Sequence, residues 1–280
     1  MRRAAFAIAI LLICTFVGLS TSTGGDKKGP LSITNFGQSF FIVTTSKDKR
    51  IAFDPHGIPA YDRDEAPKCE ADIVCISHNH NDHTRVQVLN NVDTEKKEKK
   101  RDLKIFRGLK GMSLKGGDWN PVNEEIGDIK IRNVGVFHDE QEGLLRGKNS
   151  VFVIEVDGWR ICHLGDLGHI LTVPQLKKIG PVDVLMIPVG GIYTLNGSEA
   201  KKVVDQIKPK EYIFPMHYGT KVFEDVLTAE EFLEQFPKRE VAIEDHNEII
   251  LNKEASRPRP LVVQLHYYPK EEKKKEEKRK

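Results

Sequence analysis

Short apolar runs separated by polar turns dominate the first half of the chain. Phe40–Thr45 and Arg50–Asp54 read as two strands joined by the polar turn Ser46–Lys49. Ala71–Ile76 is an almost uninterrupted apolar run, the pattern of a buried strand. Further strands are predicted at Ile105–Phe106, Ile129–Val134, Val151–Val156 and Trp159–Leu164, the last two joined through the hairpin signal Asp157-Gly158.

The second half alternates. A helix at Val173–Ile179 precedes a strand at Val182–Ile187. A second helix, capped by Ser198, runs to Ile207 and stops at Lys208-Pro209. A strand at Tyr212–Phe214, a helix at Ala229–Phe236 and strands at Val241–Ile243, Ile249–Leu251 and Leu261–His266 complete the pattern. Hairpins followed by alternating strands and helices predict one α/β domain with two sheets and outer helices. No internal repeat of 20 to 50 residues is visible.

Composition changes the picture only at the ends. Met1-Arg2-Arg3, sixteen mostly apolar residues from Ala4 to Leu19 and a small-residue stretch form the pattern of a secretory signal. Residues 1–25 are therefore expected to be a signal peptide or, uncleaved, an N-terminal membrane anchor, which makes the protein periplasmic or extracellular. Residues 26–269 form the domain. Lys270–Lys280 are eleven consecutive charged residues, expected to be a solvated disordered tail. Asp93–Lys104 reads as a charged loop or exposed helix. A net charge of +2 gives no reason to expect nucleic acid as a partner. Cys69, Cys75 and Cys162 remain after signal removal, an odd number that gives no disulfide framework.

The candidate chemistry is concentrated in Ser77-His78-Asn79-His80-Asn81-Asp82-His83, directly after the apolar run at Ala71–Ile76. Three imidazoles and a carboxylate in six positions can direct several lone pairs to one point, as a divalent metal with N/O preference requires. A polar surface turn is the plainer account, and the density of donors argues against it. Three further polar residues follow apolar strand-like runs: His138, Asp166 and His217. Groups at strand ends can converge on one sheet edge. Each alone is as well explained by structure; the order of all four segments is not.

His-x-His-x-Asp-His, an isolated His, Gly-Asp and a final His together resemble the metallo-β-lactamase-fold hydrolase superfamily, over about Ile33 to Leu251. The similarity is greatest to the branch with L-ascorbate-6-phosphate lactonase-like proteins, through Arg146–Ser150, His163–His169, Ile187–Gly191 and Pro215–Thr220. The resemblance implies an αββα sandwich and two divalent ions, zinc first, with manganese or iron as alternatives. It implies His78, His80 and His138 around one ion, Asp82, His83 and His217 around the other, and Asp166 between them. Asp82 would also carry a proton in catalysis.

Weaker candidates surround this set. Asp54 could orient a ligand histidine or simply cap a turn. His169 is a candidate for substrate contact or for a structural role. Gly190-Gly191 could let a loop approach the centre. His56 and His163 are left open, and His246 and His266 read as surface or structural residues. Gln38 stands where many superfamily members have histidine, so no role transfers to it.

The expected activity is hydrolysis of an ester-like bond, a lactone or phosphodiester, in a small molecule. A di-iron redox enzyme of the same fold and a non-catalytic metal-binding exported protein are the alternatives. Specificity is expected in loops over the site, at Asn90–Asn120 and Glu140–Lys148.

Overall fold

A computed structural model describes residues 29–58, 69–89, 103–111 and 117–267. The N-terminal apolar segment, the charged tail and nearly all of the charged stretch at Asp93–Lys104 lie outside these residues. Among the described residues, no helix is long and apolar enough to cross a membrane.

Two sheets face each other. The first has the order β13-β1-β2-β3-β4-β5, with β1 Ser32–Asn35, β2 Phe41–Thr44, β3 Arg50–Phe53, β4 Ile73–Ile76, β5 Lys104–Arg107 and β13 Glu248–Ile250. The second has the order β12-β14-β11-β10-β9-β8-β7-β6. Its members are β6 Asn123–Ile126, β7 Ile129–Phe137, β8 Lys148–Val156, β9 Trp159–His163, β10 Val184–Pro188, β11 Tyr212–Met216, β12 Val241–Ile243 and β14 Leu261–Gln264. From β6 to β9 this sheet is an antiparallel meander, and from β9 onward its neighbours are parallel.

Side-chain alternation divides the apolar residues between layers. Ile33, Phe41, Val43, Ile51 and Phe53 from the first sheet meet Ile131, Phe152, Ile154, Ile161, Met186 and Phe214 from the second. The other face of the second sheet packs Val151, Val153, Leu185 and Ile213 against helices α1 (Val173–Ile179), α2 (Gly197–Ile207) and α3 (Glu230–Leu233). The outer face of the first sheet buries Phe40, Ile42, Ala52, Val74 and Ile76 with Leu89 and Leu103. Sheets and helices thus form the α/β sandwich expected from the sequence.

Local chemistry explains where elements begin and end. Asp157 and Gly158 both have positive φ, 50° and 75°, the backbone a two-residue hairpin between β8 and β9 requires. Helix α2 starts one residue before the expected cap. Asn196, not Ser198, closes its first turn: Asn196 Oδ1 accepts from Glu199 N at 2.9 Å, and Glu199 Oε2 accepts from Asn196 N at 3.0 Å. Ser198 Oγ donates instead to Glu231 Oε1 at 2.7 Å, tying α2 to α3. Helix α3 is only Glu230–Leu233, shorter than expected. Cys69, Cys75 and Cys162 are buried free thiols.

Candidate metal centre

Five strands deliver polar groups to one edge of the sandwich. Asp54 follows β3, the His78–His83 segment follows β4, His138 follows β7, Asp166 lies beyond β9 and His217 follows β11. β3, β4, β9 and β11 are buried along almost their whole length and β7 is anchored by Ile129, Ile131, Val134 and Val136, so the strand ends are fixed and the loops inherit that precision. Three donors are close enough to share one ion, His78, His80 and His138. A second group is formed by Asp82, His83, Asp166 and His217.

Asp166 Oδ2 is the centre of the arrangement. Imidazole Nε2 atoms lie 3.1 Å away on His83, 3.2 Å on His138, 3.3 Å on His217 and 3.8 Å on His78. The rings of His78, His80 and His138 pack with centroids 4.6, 4.9 and 5.0 Å apart. Asp82 Oδ2 is 3.5 Å from His83 Nε2 and 3.8 Å from His217 Nε2. Its side chain is 37% exposed, whereas those of Asp166, His78 and His138 are 2% exposed.

The outer contacts fix which ring nitrogen faces inward. Asp54 Oδ2 accepts from His83 Nδ1 at 2.9 Å and from Ser77 Oγ at 2.6 Å, while Asp54 Oδ1 accepts from Ser77 N at 2.7 Å. Ser77 Oγ, its own proton engaged by Asp54, accepts from His78 Nδ1 at 2.9 Å. Both imidazoles therefore carry a proton on Nδ1 and turn Nε2 toward the centre. Those two Nε2 atoms are buried and make no hydrogen bond among the described residues. Buried nitrogens turned together without hydrogen bonds, beside carboxylates, form a donor set of the kind divalent zinc takes.

The charges follow the same division. Burial pushes His78 well below its ordinary pKa, and neighbouring His83 pushes the same way. Burial also lowers His80, with His138 adding to it. For His83 and His217 burial again disfavours the charged form, but the Asp166 carboxylate outweighs it and both are raised. Burial would lift the Asp166 carboxyl, yet His217 and His83 hold it well below the usual carboxylate range. Asp82 is lowered against its own burial, chiefly by His83.

The remaining candidates separate cleanly. Asp54 has φ 44°, a left-handed turn that swings its carboxylate back over β4. Asp54→Asn is expected to weaken metal binding by roughly 10–100-fold while preserving the fold. A competitive chelator titration measures this; unchanged affinity would leave Asp54 as a turn residue alone. His169 Nε2 accepts from Phe137 N at 3.1 Å and its Nδ1 donates to Ile170 O at 2.8 Å. With both ring nitrogens engaged by backbone, it braces the strand end that carries His138. His163 Nε2 donates to Ser39 O at 2.9 Å, and His163 Nδ1 accepts from Gly165 N at 3.1 Å. That ring supports the loop leading to Asp166. His56 Nε2 donates to Phe36 O and Gly37 O, and burial lowers its pKa to about 4.

Several contributors gave little sequence signal. Ser77 opens the histidine run but belongs to no donor pattern. Ser39 Oγ approaches Asp166 Oδ1 at 3.4 Å, and the Gln38 carbonyl accepts from His217 N at 3.1 Å. Gln38 thus meets a candidate donor through its backbone, which no side-chain motif announces. Gly190 allows the close approach expected of it: a Cβ there would lie 2.2 Å from the His217 carbonyl oxygen.

Residues 32–217 match the model of the beta-lactamase superfamily domain. The chain is also 30% identical over 195 residues to a metal-dependent hydrolase of Thermococcus onnurineus, a match covering 66% of this chain and 83% of that one. The chain belongs to the beta-lactamase superfamily. A crystal structure from Thermotoga maritima, assigned as a zinc-dependent hydrolase of the metallo-beta-lactamase superfamily, matches with a TM-score of 0.59 and 32% identity. That match covers 84% of this chain and 100% of the other. A metal-dependent hydrolase assignment also accompanies the Parabacteroides distasonis structure, at a TM-score of 0.52 and 25% identity over 69% of this chain and 84% of that one. The superfamily and fold are those expected from the histidine pattern.

Proposed function

We propose that this superfamily member hydrolyses an ester-like bond, such as a lactone or phosphodiester, in a small molecule, using two divalent ions, zinc first. The observation that carries the reading is the ring of four imidazole Nε2 atoms within 3.8 Å of one Asp166 oxygen. His78, His80 and His138 would hold one ion, Asp82, His83 and His217 the other, and Asp166 both. Bound ions supply Lewis acidity and a water acidified toward neutral pH.

The chain's own groups have distinct tasks. Asp54 and Ser77 hold the inner imidazoles in one orientation, with Nδ1 protonated and Nε2 facing inward, so the rings need not turn on binding. Asp82 is the more exposed carboxylate of the set and is kept ionised by His83. It can take a proton from the attacking water and return one to the leaving oxygen. Export through the N-terminal segment is part of the same proposal, supported by its basic start and apolar run.

The test joins elemental analysis of the purified protein to a substrate panel of lactones, esters and phosphodiesters. About two equivalents of zinc and turnover of one of these classes are expected. Redox-active iron without hydrolysis of any class would overturn the reading in favour of redox chemistry.

A further inference from the structure

We propose that the pocket beside His138 is a specificity subsite in which Arg146 and Thr194 receive a carboxylate carried by the substrate. This rests on the hydrolase reading of the adjoining centre and narrows the substrate class. The pocket, of about 220 Å³, is lined by His138 itself together with Asp139, Arg146, Ile192, Tyr193 and Thr194. A ligand seated there lies against a candidate metal donor.

Arg146 is the group in it that points to a ligand, and Thr194 of the same wall adds an unsatisfied hydroxyl. One guanidinium N–H of Arg146 donates to Ile192 O at 2.9 Å, and the guanidinium sits 5.6 Å from the Tyr193 ring centroid. Guanidinium carries five N–H donors in a planar fork, so most of its capacity is left for a planar anion. Thr194 Oγ1 is buried and makes no hydrogen bond among the described residues. Leaving a buried hydroxyl unsatisfied is costly, and a rotation about χ1 of this wall residue would offer it to a ligand.

The surroundings hold these groups in place at an energetic cost. Asp139 Oδ1 accepts from the N–H groups of Gln141 at 2.8 Å and Gly143 at 2.9 Å. Its Oδ2 accepts from Leu145 at 3.1 Å and Arg146 at 2.7 Å. The loop carrying Arg146 is thus tied to the residue next to His138. On the opposite wall Ile192 has φ 55°, a strained backbone for a β-branched residue, and its carbonyl is the one that receives Arg146.

Charge selects among anions. Glu140 and Glu199 also line the pocket. Their repulsion weighs about twice as heavily on a dianionic phosphate as on a carboxylate. A guanidinium fork beside three carboxylates, that of Asp139 already engaged by four N–H groups, suits the singly charged group better than the dianion.

The test compares 4-nitrophenyl hydrogen glutarate with its neutral methyl ester, and measures glutarate and inorganic phosphate binding to the zinc-loaded protein by calorimetry. Wild type is expected to favour the acid over the methyl ester by about tenfold or more in kcat/KM, mainly through KM. R146Q collapses that ratio toward unity and weakens glutarate binding by a similar factor, and T194V does so to a lesser degree. R146K restores charge without the fork and recovers only part of the preference. An unchanged ester ratio in R146Q, or equal glutarate binding by R146Q and wild type, overturns the subsite. Phosphate binding tighter than glutarate overturns the choice of carboxylate. Glutarate binding that depends on Arg146 in a protein that turns over no lactone, ester or phosphodiester upholds the subsite and counts against the hydrolase reading.

Discussion

Replacing Asp166 with asparagine is expected to abolish both metal retention and turnover. The substitution preserves volume and removes one negative charge from the point where four imidazole Nε2 atoms converge. An amide presents one oxygen and a nitrogen whose hydrogens point at any cation placed there. The loss of affinity will exceed the roughly 10–100-fold that loss of an outer hydrogen-bond partner costs. Elemental analysis after gel filtration measures it directly. Thermal melting gives a second readout, because a cation bound only to the folded state stabilises that state. Wild type is expected to melt lower after chelation, and D166N to melt alike with and without chelator. A D166N protein that keeps wild-type metal content and rate would remove Asp166 from the centre.

Asp82→Asn separates holding from proton transfer. Asparagine keeps an oxygen at the same position, so a cation can still be held there, but the amide cannot take a proton from water. The expected outcome is a kcat lower by roughly 10²–10⁴-fold with metal content largely retained. The exposure of Asp82, 37% against 2% for Asp166, makes it the carboxylate of the pair more open to solvent and substrate. Single-turnover kinetics on whichever ester the panel identifies will place the loss in the chemical step. A D82N rate equal to wild type at equal metal content would assign the proton to another group.

The centre was legible in the sequence because its donors follow strands whose burial is itself legible. Ile73–Ile76 is apolar throughout and buried throughout, so the histidine run after it could be placed at a strand end. The β8–β9 hairpin was readable from Asp157-Gly158, and α1 was placed at the Val173–Ile179 it occupies. Strands β1 and β6 were not. Ser32–Asn35 is polar at three of its four positions, yet it is buried because β13 and β2 flank it. Asn123–Ile126 is polar at three of its four positions and exposed at the same three, an edge strand held mainly by its pairing with β7. At the site, Ser77, Ser39 and the Gln38 backbone escaped notice for a related reason. Their contributions are hydrogen bonds between segments distant in the chain, with no spacing rule to reveal them.

The donors come from both sheets: the His78–His83 segment from the first, His138, Asp166 and His217 from the second. Neither layer holds a complete set. The centre can therefore close only when the layers have docked, and a bound cation rewards one relative placement of them over all others. A substitution deep between the sheets, far from any histidine, would be felt first as a change in how the two halves of the donor set meet.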